Sequence, residues 1–193
     1  MHIAIEGIDG VGKSTAAKKL AEYLGFKLVE KPLHYLFDED GEDNYIRIRN
    51  AVNKSKNKKY TGWFYGLGNI FLYEEFKNQN IVTDRHILSN YCWSGAEETD
   101  YIFDAIYKTI GAPTFTFLIY ADPEAVRKRL VSRDKEDPDL KKVKFIPEAY
   151  EKMKKVLNNY EMPSLVIDTT NMNADEVLNT MIDELKKRGI ING

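Results

Sequence analysis

The sequence predicts a doubly wound α/β fold: a five-stranded parallel sheet with helices on both faces. Three observations carry that expectation. Short apolar runs alternate with longer amphipathic segments along the whole chain. The first apolar run leads straight into Gly7-Ile8-Asp9-Gly10-Val11-Gly12-Lys13-Ser14, which fits the pattern G-x-x-x-x-G-K-S/T. No repeat, linker-like stretch or composition shift divides the 193 residues, which suit one domain with its own core.

Taken in order, residues 3–6 read as a short buried strand and 14–24 as an amphipathic helix, with the glycine-rich loop between them. Further strands are expected at 27–30, 81–84, 114–120 and 165–168. An aromatic-rich helix is expected over 61–77. Another over 100–110 would place Tyr101, Ala105, Ile106 and Ile110 on one face. Pro123 suits the first turn of a helix reaching residue 131. The last helix, 175–187, has Asn173 as its cap and Gly189 as its stop. Two segments break the rhythm. Residues 34–44 are acidic and turn-rich. Residues 133–145 are dense in both signs of charge around Pro138, which reads either as solvated surface or as a mobile lid.

Composition narrows the function classes. Net charge is −2, so no overall field draws the protein to nucleic acid or to a membrane surface. Hydrophobic content of 43% and charged content of 30% are those of a soluble globular protein. A single cysteine, Cys92, excludes an internal disulfide framework and reads as a small buried hydrophobe. The first apolar run is too short for a signal peptide, and no run approaches a membrane span, so a cytoplasmic protein is expected.

The glycine-rich loop carries chemistry. Its glycines let backbone N–H groups turn inward around an anion, and the helix that follows adds its free N–H groups and positive end. Gly7 to Thr15 would thus cradle the phosphates of ATP. Lys13 would reach the outer ones, and Ser14 would hold the bridging Mg²⁺. A second group lies at Ile81-Val82-Thr83-Asp84-Arg85-His86. At the carboxyl end of a parallel strand, Asp84 and Arg85 would face the same crevice. Asp84 can orient Mg²⁺ or its waters, and Arg85 can clamp a phosphoryl oxygen bidentately. The bland alternative is a surface salt bridge. Arg129 and Arg133, four apart, share a helical face and would act on a transferring phosphoryl group, or simply form an exposed basic face. His34 and His86 lack metal-ligand spacing, so no metal beyond nucleotide-bound Mg²⁺ is expected.

These residues together resemble the thymidylate kinase family, in the nucleoside monophosphate kinase group. Ile5-Glu6-Gly7-Ile8-Asp9-Gly10-Val11-Gly12-Lys13-Ser14-Thr15 is similar to that family's loop nearly residue for residue. Asp84-Arg85-His86, then Ser89-Asn90 and Trp93-Ser94-Gly95-Ala96, is similar to its second motif, and Ile167-Asp168-Thr169-Thr170 resembles the stretch near its ATP adenine. The resemblance implies transfer of the ATP γ-phosphoryl group to a deoxynucleoside monophosphate, foremost dTMP. It implies that Asp9 faces the 3′-hydroxyl, Arg85 holds the acceptor phosphate, and Phe64 stacks on the base. Asn90 would bond the base edge, Trp93 would pack under the sugar, and Pro32 would border the acceptor. Arg133, helped by Lys135 or Lys141, would be the lid cation, because Val11 leaves the loop without an arginine. A homodimer is also implied, with contacts from helices at 61–77 and 91–110.

The chain departs from the family pattern where an arginine usually reads the thymine carbonyl: Gly68 stands there. Ser94 replaces the usual glutamine or threonine, and Glu30-Lys31-Pro32 replaces an arginine or phenylalanine near a proline. Glu30 keeps open a deoxynucleoside kinase, in which it would be the general base for a 5′-hydroxyl. A non-catalytic ATP-binding regulator is the alternative of another class. A GTPase fits poorly, since Asn53-Lys54-Ser55-Lys56 fails the guanine-reading pattern at its last position and the D-x-x-G spacing at Asp38 has no apolar strand before it.

Overall fold

Parallel pairing places every strand's carboxyl end on one edge of the sheet. The structure, a computed structural model, describes residues 1–38 and 43–192. Among these, β1 (His2–Glu6), β2 (Lys27–Glu30), β3 (Ile81–Asp84), β4 (Phe115–Tyr120) and β5 (Ser164–Asp168) form one sheet in the order β2-β3-β1-β4-β5. All neighbouring pairs are parallel, with Ile5 opposite both Asp84 and Phe117. β1 and β4 are buried along nearly their whole length, as strands covered on both faces must be. The expected strands are all present, with ends shifted by one residue at most.

The helices are α1 (Lys13–Leu24), α2 (Leu33–Phe37), α3 (Asn44–Asn53), α4 (Lys58–Phe76), α5 (Ile87–Ser94), α6 (Asp100–Ile110), α7 (Pro123–Arg133), α8 (Ile146–Asn159) and α9 (Ala174–Lys187). α1 packs on β1, β2 and β3 and against α9, while α5 packs between α4 and α8. Asp122 caps α7 ahead of Pro123, and Asn173 caps α9 in a reciprocal pair with Glu176. The charged segment is ordered as the end of α7 and a 3₁₀ stretch, Pro138–Phe145. The acidic segment contributes α2 and the start of α3; its residues 39–42, including most of the D-x-x-G spacing, lie outside the described residues. No helix among the described residues is long and apolar enough to cross a membrane.

Two helix readings need correction. The expected helix over 91–110 is broken at Gly95, whose approach to Tyr91 leaves no room for a side chain, and resumes after a 3₁₀ turn at Glu97–Thr99. In α6 the buried face is Ile102, Phe103, Ile106 and Ile110, while Tyr101 is 54% exposed and Ala105 also faces solvent. The close fit of α6 on α4 sets this phase. Gly62 lies against Ile102 and Gly66 against Ile106, so the β-branched residues, not the tyrosine, fill the seam.

Two histidines meet where β1 runs beneath α5. The His2 and His86 rings stand edge to face at 4.9 Å, and His2 Nε2 lies 3.0 Å from Thr83 Oγ1. Burial lowers His86 to about 4, and burial together with the His86 charge lowers His2. Both pKa values are depressed on folding, so the unfolded chain binds the protons first. Stability should therefore be full above about pH 6.5 and fall as the pH drops toward 4, by about 3 kcal/mol from His86 alone. Thermal unfolding across that range should show this loss, and His86→Asn should flatten it.

Candidate active site

At the carboxyl edge of the sheet, β1 opens into the phosphate loop and β3 ends at Asp84 and Arg85. The loop can form because Gly7 adopts φ +143° with its Cα close to β4: an added Cβ would lie 2.5 Å from the Ile119 carbonyl oxygen. Gly12, at φ +102°, ends the loop, and α1 starts at Lys13. Ile8 and Val11 are anchored in the core with 4% and 2% of their surface exposed, so they contribute backbone to the site. Asp9, Gly10, Gly12, Lys13, Ser14 and Thr15 line an open cleft of about 1220 Å³. A pocket for one small ligand is typically about 300–1,000 Å³. This cleft has room for two nucleotides.

Lys13 is buried and donates to the Ile8 carbonyl at 2.6 Å. Burial, then the nearby Arg85 charge, lowers its ammonium to about 8. An arriving phosphate would supply the charge it lacks. Beside it, Ser14 Oγ donates to Asp84 Oδ2 at 2.5 Å, and Asp84 Oδ1 is buried with no partner among the described residues. A hydroxyl next to a carboxylate with an unused oxygen suits a hard divalent cation. No cluster of three His, Cys, Asp or Glu able to hold a metal by itself occurs among the described residues, so such an ion would depend on nucleotide phosphates as well.

Arg85 has the left-handed backbone angle φ +79°, an unfavourable conformation for a residue other than glycine, and its N–H donates to the Ile5 carbonyl at 3.0 Å. Its guanidinium pairs with Asp9 and donates to Ser89 Oγ at 3.3 Å and to the Gly7 carbonyl at 3.4 Å. Burial alone would raise the Asp9 carboxyl, but Arg85, Lys13 and Lys142 bring it down to about 2. Asp9 is thus a fixed negative charge joining the two halves of the site. Pro32, Arg85, Asn90 and Trp93 all line the cleft.

Other expected residues stand elsewhere. Phe64 does not line the cleft: it stacks on Phe37, with centroids 6.4 Å apart and planes 6° from parallel. The residues of α4 that do line it are Lys58, Thr61, Tyr65, Gly68 and Asn69; Phe64 lies at the edge of that face and is turned onto Phe37. Arg129 and Arg133 both line the cleft, but both are engaged. Arg129 donates to the carbonyls of Val11 at 3.2 Å and Thr169 at 2.5 Å, tying the 169–170 loop to the phosphate loop. Arg133 pairs with Asp137 at 2.5 Å and Asp139 at 3.5 Å. Lys135 and Lys141 are exposed and do not line the cleft. Beside Arg133, the cation that reaches in from the charged segment is Lys142. Its Nζ lies 2.9 Å from Asp9, 2.8 Å from Asp139 and 5.6 Å from the Trp93 ring centre. Only its spacing, three residues after Asp139, hinted at this in the sequence. Tyr45, Arg49, Tyr65 and Asn69 are cleft residues for which the sequence offered no separate signal.

The family model described as thymidylate kinase matches residues 5–181 of this chain. The chain belongs to the thymidylate kinase family. It is 32% identical to a probable thymidylate kinase of Methanococcus maripaludis (strain C6), an alignment covering 95% of this chain and 96% of the relative. A probable thymidylate kinase of Methanocaldococcus jannaschii is 27% identical, with 96% of each chain covered. Among solved structures, thymidylate kinase from Candida albicans aligns at TM-score 0.70 and 17% identity over 100% of this chain and 95% of that one. Deoxyadenosine kinase from M. mycoides aligns at 0.69 and 18% over 97% and 100%. These two likenesses speak to the fold. Membership in the thymidylate kinase family makes the chain an enzyme of phosphoryl transfer to a nucleoside monophosphate. It does not favour the nucleoside kinase reading of Glu30 or the non-catalytic reading.

Proposed function

We propose that the enzyme transfers the γ-phosphoryl group of ATP to a deoxynucleoside monophosphate, with dTMP the preferred acceptor. The observation that carries this reading is the Asp9–Arg85 pair. It sets a guanidinium suited to an acceptor phosphate in the same cleft as Lys13 and the phosphate loop. Residues 7–15 cradle the ATP phosphates, Lys13 neutralises the outer ones, and Arg85 holds the acceptor phosphate. Ser14 and Asp84 are the residues that would hold Mg²⁺, whose chemistry is to screen the phosphate charge. The protein's own share is positioning and neutralisation. Asp9 orients Arg85 and offers its carboxylate to the 3′-hydroxyl. Lys142 and Arg133 bring positive charge from residues 133–145, which close over the cleft and exclude water.

The cleft itself fits a base with a ring N–H, as thymine has. A Cβ at Gly68 would lie 3.2 Å from Leu33 and 3.5 Å from Pro32, a close fit against these two side chains. Asn69 and Asn90 are among the polar residues that line the cleft. Asn90 Nδ2 donates to the Gly62 carbonyl at 3.3 Å, which fixes the amide, and Asn90 Oδ1 is buried with no partner among the described residues. That oxygen requires a donor, and the thymine N3–H supplies one. Tyr65 and Trp93 are the aromatic walls in place of Phe64.

The test is phosphoryl transfer from ATP·Mg²⁺ to a panel of deoxynucleoside monophosphates and free deoxynucleosides. Rapid use of dTMP is expected, with free nucleosides inert; transfer only to nucleosides would overturn the reading. Lys13→Ala should cut transfer by roughly 100-fold or more while the protein stays folded. Arg85→Ala should raise the acceptor KM more than the ATP KM.

We also propose a homodimer. Tyr60, Trp63 and Leu67 form an exposed apolar stripe on α4, and Tyr101 is exposed on α6 beside it. Sedimentation at twice the chain mass is the expected result, and a monomer at all concentrations would contradict it.

A further inference from the structure

Glu6 is the last residue of β1 and has none of its surface exposed. It does not line the cleft. A buried carboxylate is costly unless donors surround it. Here the donors come almost wholly from one place. The N–H groups of His86 and Leu88 reach Glu6 Oε1 at 2.9 and 2.8 Å, and the Ser89 N–H reaches Oε1 at 3.3 Å and Oε2 at 3.2 Å. The Ser89 hydroxyl donates to Oε2 at 2.5 Å. No lysine or arginine among the described residues forms an ion pair with Glu6. Its charge is directed at the first turn of α5, where the cap residue His86 provides no side-chain bond of its own.

That turn directly follows Arg85, the residue held at φ +79°. Ser89 then closes a relay. A hydroxyl has one proton and two lone pairs. With its proton committed to Glu6, Ser89 Oγ can only accept, and it accepts from Arg85 at 3.3 Å.

We propose that Glu6 is a positioning residue for Arg85: through Ser89 and the first turn of α5, its carboxylate aims the guanidinium into the acceptor half of the cleft. The proposal rests on Arg85 being the acceptor-phosphate arginine. Glu6 never touches substrate. It turns Ser89 into an acceptor and stabilises the backbone that projects Arg85 from the end of β3.

The test is steady-state kinetics with ATP and dTMP, together with thermal unfolding, for Glu6→Gln, Ser89→Ala, Ser89→Thr, Arg85→Ala and the double variant Glu6→Gln/Arg85→Ala. Glu6→Gln and Ser89→Ala should raise the acceptor KM roughly 10- to 100-fold, the scale on which an orienting hydrogen-bond partner acts. The ATP KM should not move. Ser89→Thr, which keeps the hydroxyl, should restore acceptor binding. In the Arg85→Ala background, Glu6→Gln should add nothing further to the acceptor KM. A lowered melting temperature with both KM values unchanged would reduce Glu6 to a structural cap and overturn the proposal. So would an equal rise in acceptor KM with and without Arg85. If Glu6→Gln does not fold, Ser89→Ala decides, and an unchanged acceptor KM there overturns the relay. An unchanged acceptor KM in Arg85→Ala itself is a different failure, because it removes the assignment of Arg85 on which the relay depends.

Discussion

The parallel pairing of β1 with β3 is the constraint on which the site depends. Ile5 lies opposite Asp84, so the two chains leave the sheet side by side. One turns into the phosphate loop and the other into Arg85. A slip by one residue would send Glu6, Asp84 and their neighbours to the opposite face. The sheet is also crowded above the loop: β4 passes so close to Gly7 that no side chain fits there. β1 is flanked by β3 on one side and β4 on the other, which is where the strand order reverses and where ligands settle in sheets of this kind.

Charge is arranged around that junction with little slack. Asp9 accepts from both Arg85 and Lys142, and Lys142 is shared with Asp139. The phosphate loop, the end of β3 and the charged segment after α7 therefore meet on one carboxylate. Without ligand these cations are paired with acids and carbonyls. Phosphates would compete for them, and the cleft as a whole favours an anion, because its lysines and arginines outnumber its four carboxylates Asp9, Glu30, Asp84 and Asp139. Arg129 has a different task, since its donors already hold the 169–170 loop against Val11.

The sheet and the phosphate loop were legible in the sequence because both are local. A strand buried on two faces must be a short apolar run, and the loop needs glycines at fixed positions. The same holds for the Asn173 cap and for Asp84 and Arg85, which follow an apolar run directly. What escaped depends on contacts between distant residues. Aromatic and apolar residues recur all round α4, so periodicity could not say whether Phe64 or Tyr65 faces the cleft. The buried face of α6 follows its apolar residues Ile102, Phe103, Ile106 and Ile110, but that Tyr101 falls outside it is decided by the fit on Gly62 and Gly66 of another helix. Lys142 sits among many charged residues, and only the fold brings it to Asp9. Glu6 reads as the end of a strand, yet its partners are some eighty residues away.

The cleft's size and the two kinds of phosphate-binding group in it imply that donor and acceptor nucleotides lie end to end across a single junction. Calorimetric binding of a bisubstrate compound, adenosine and thymidine joined through a chain of phosphates, tests this most directly. One molecule should bind per chain, displaced by ATP and by dTMP alike, with binding weakened by Lys13→Ala. Displacement by only one of the two nucleotides would mean that the second site lies elsewhere and would contradict this end-to-end arrangement.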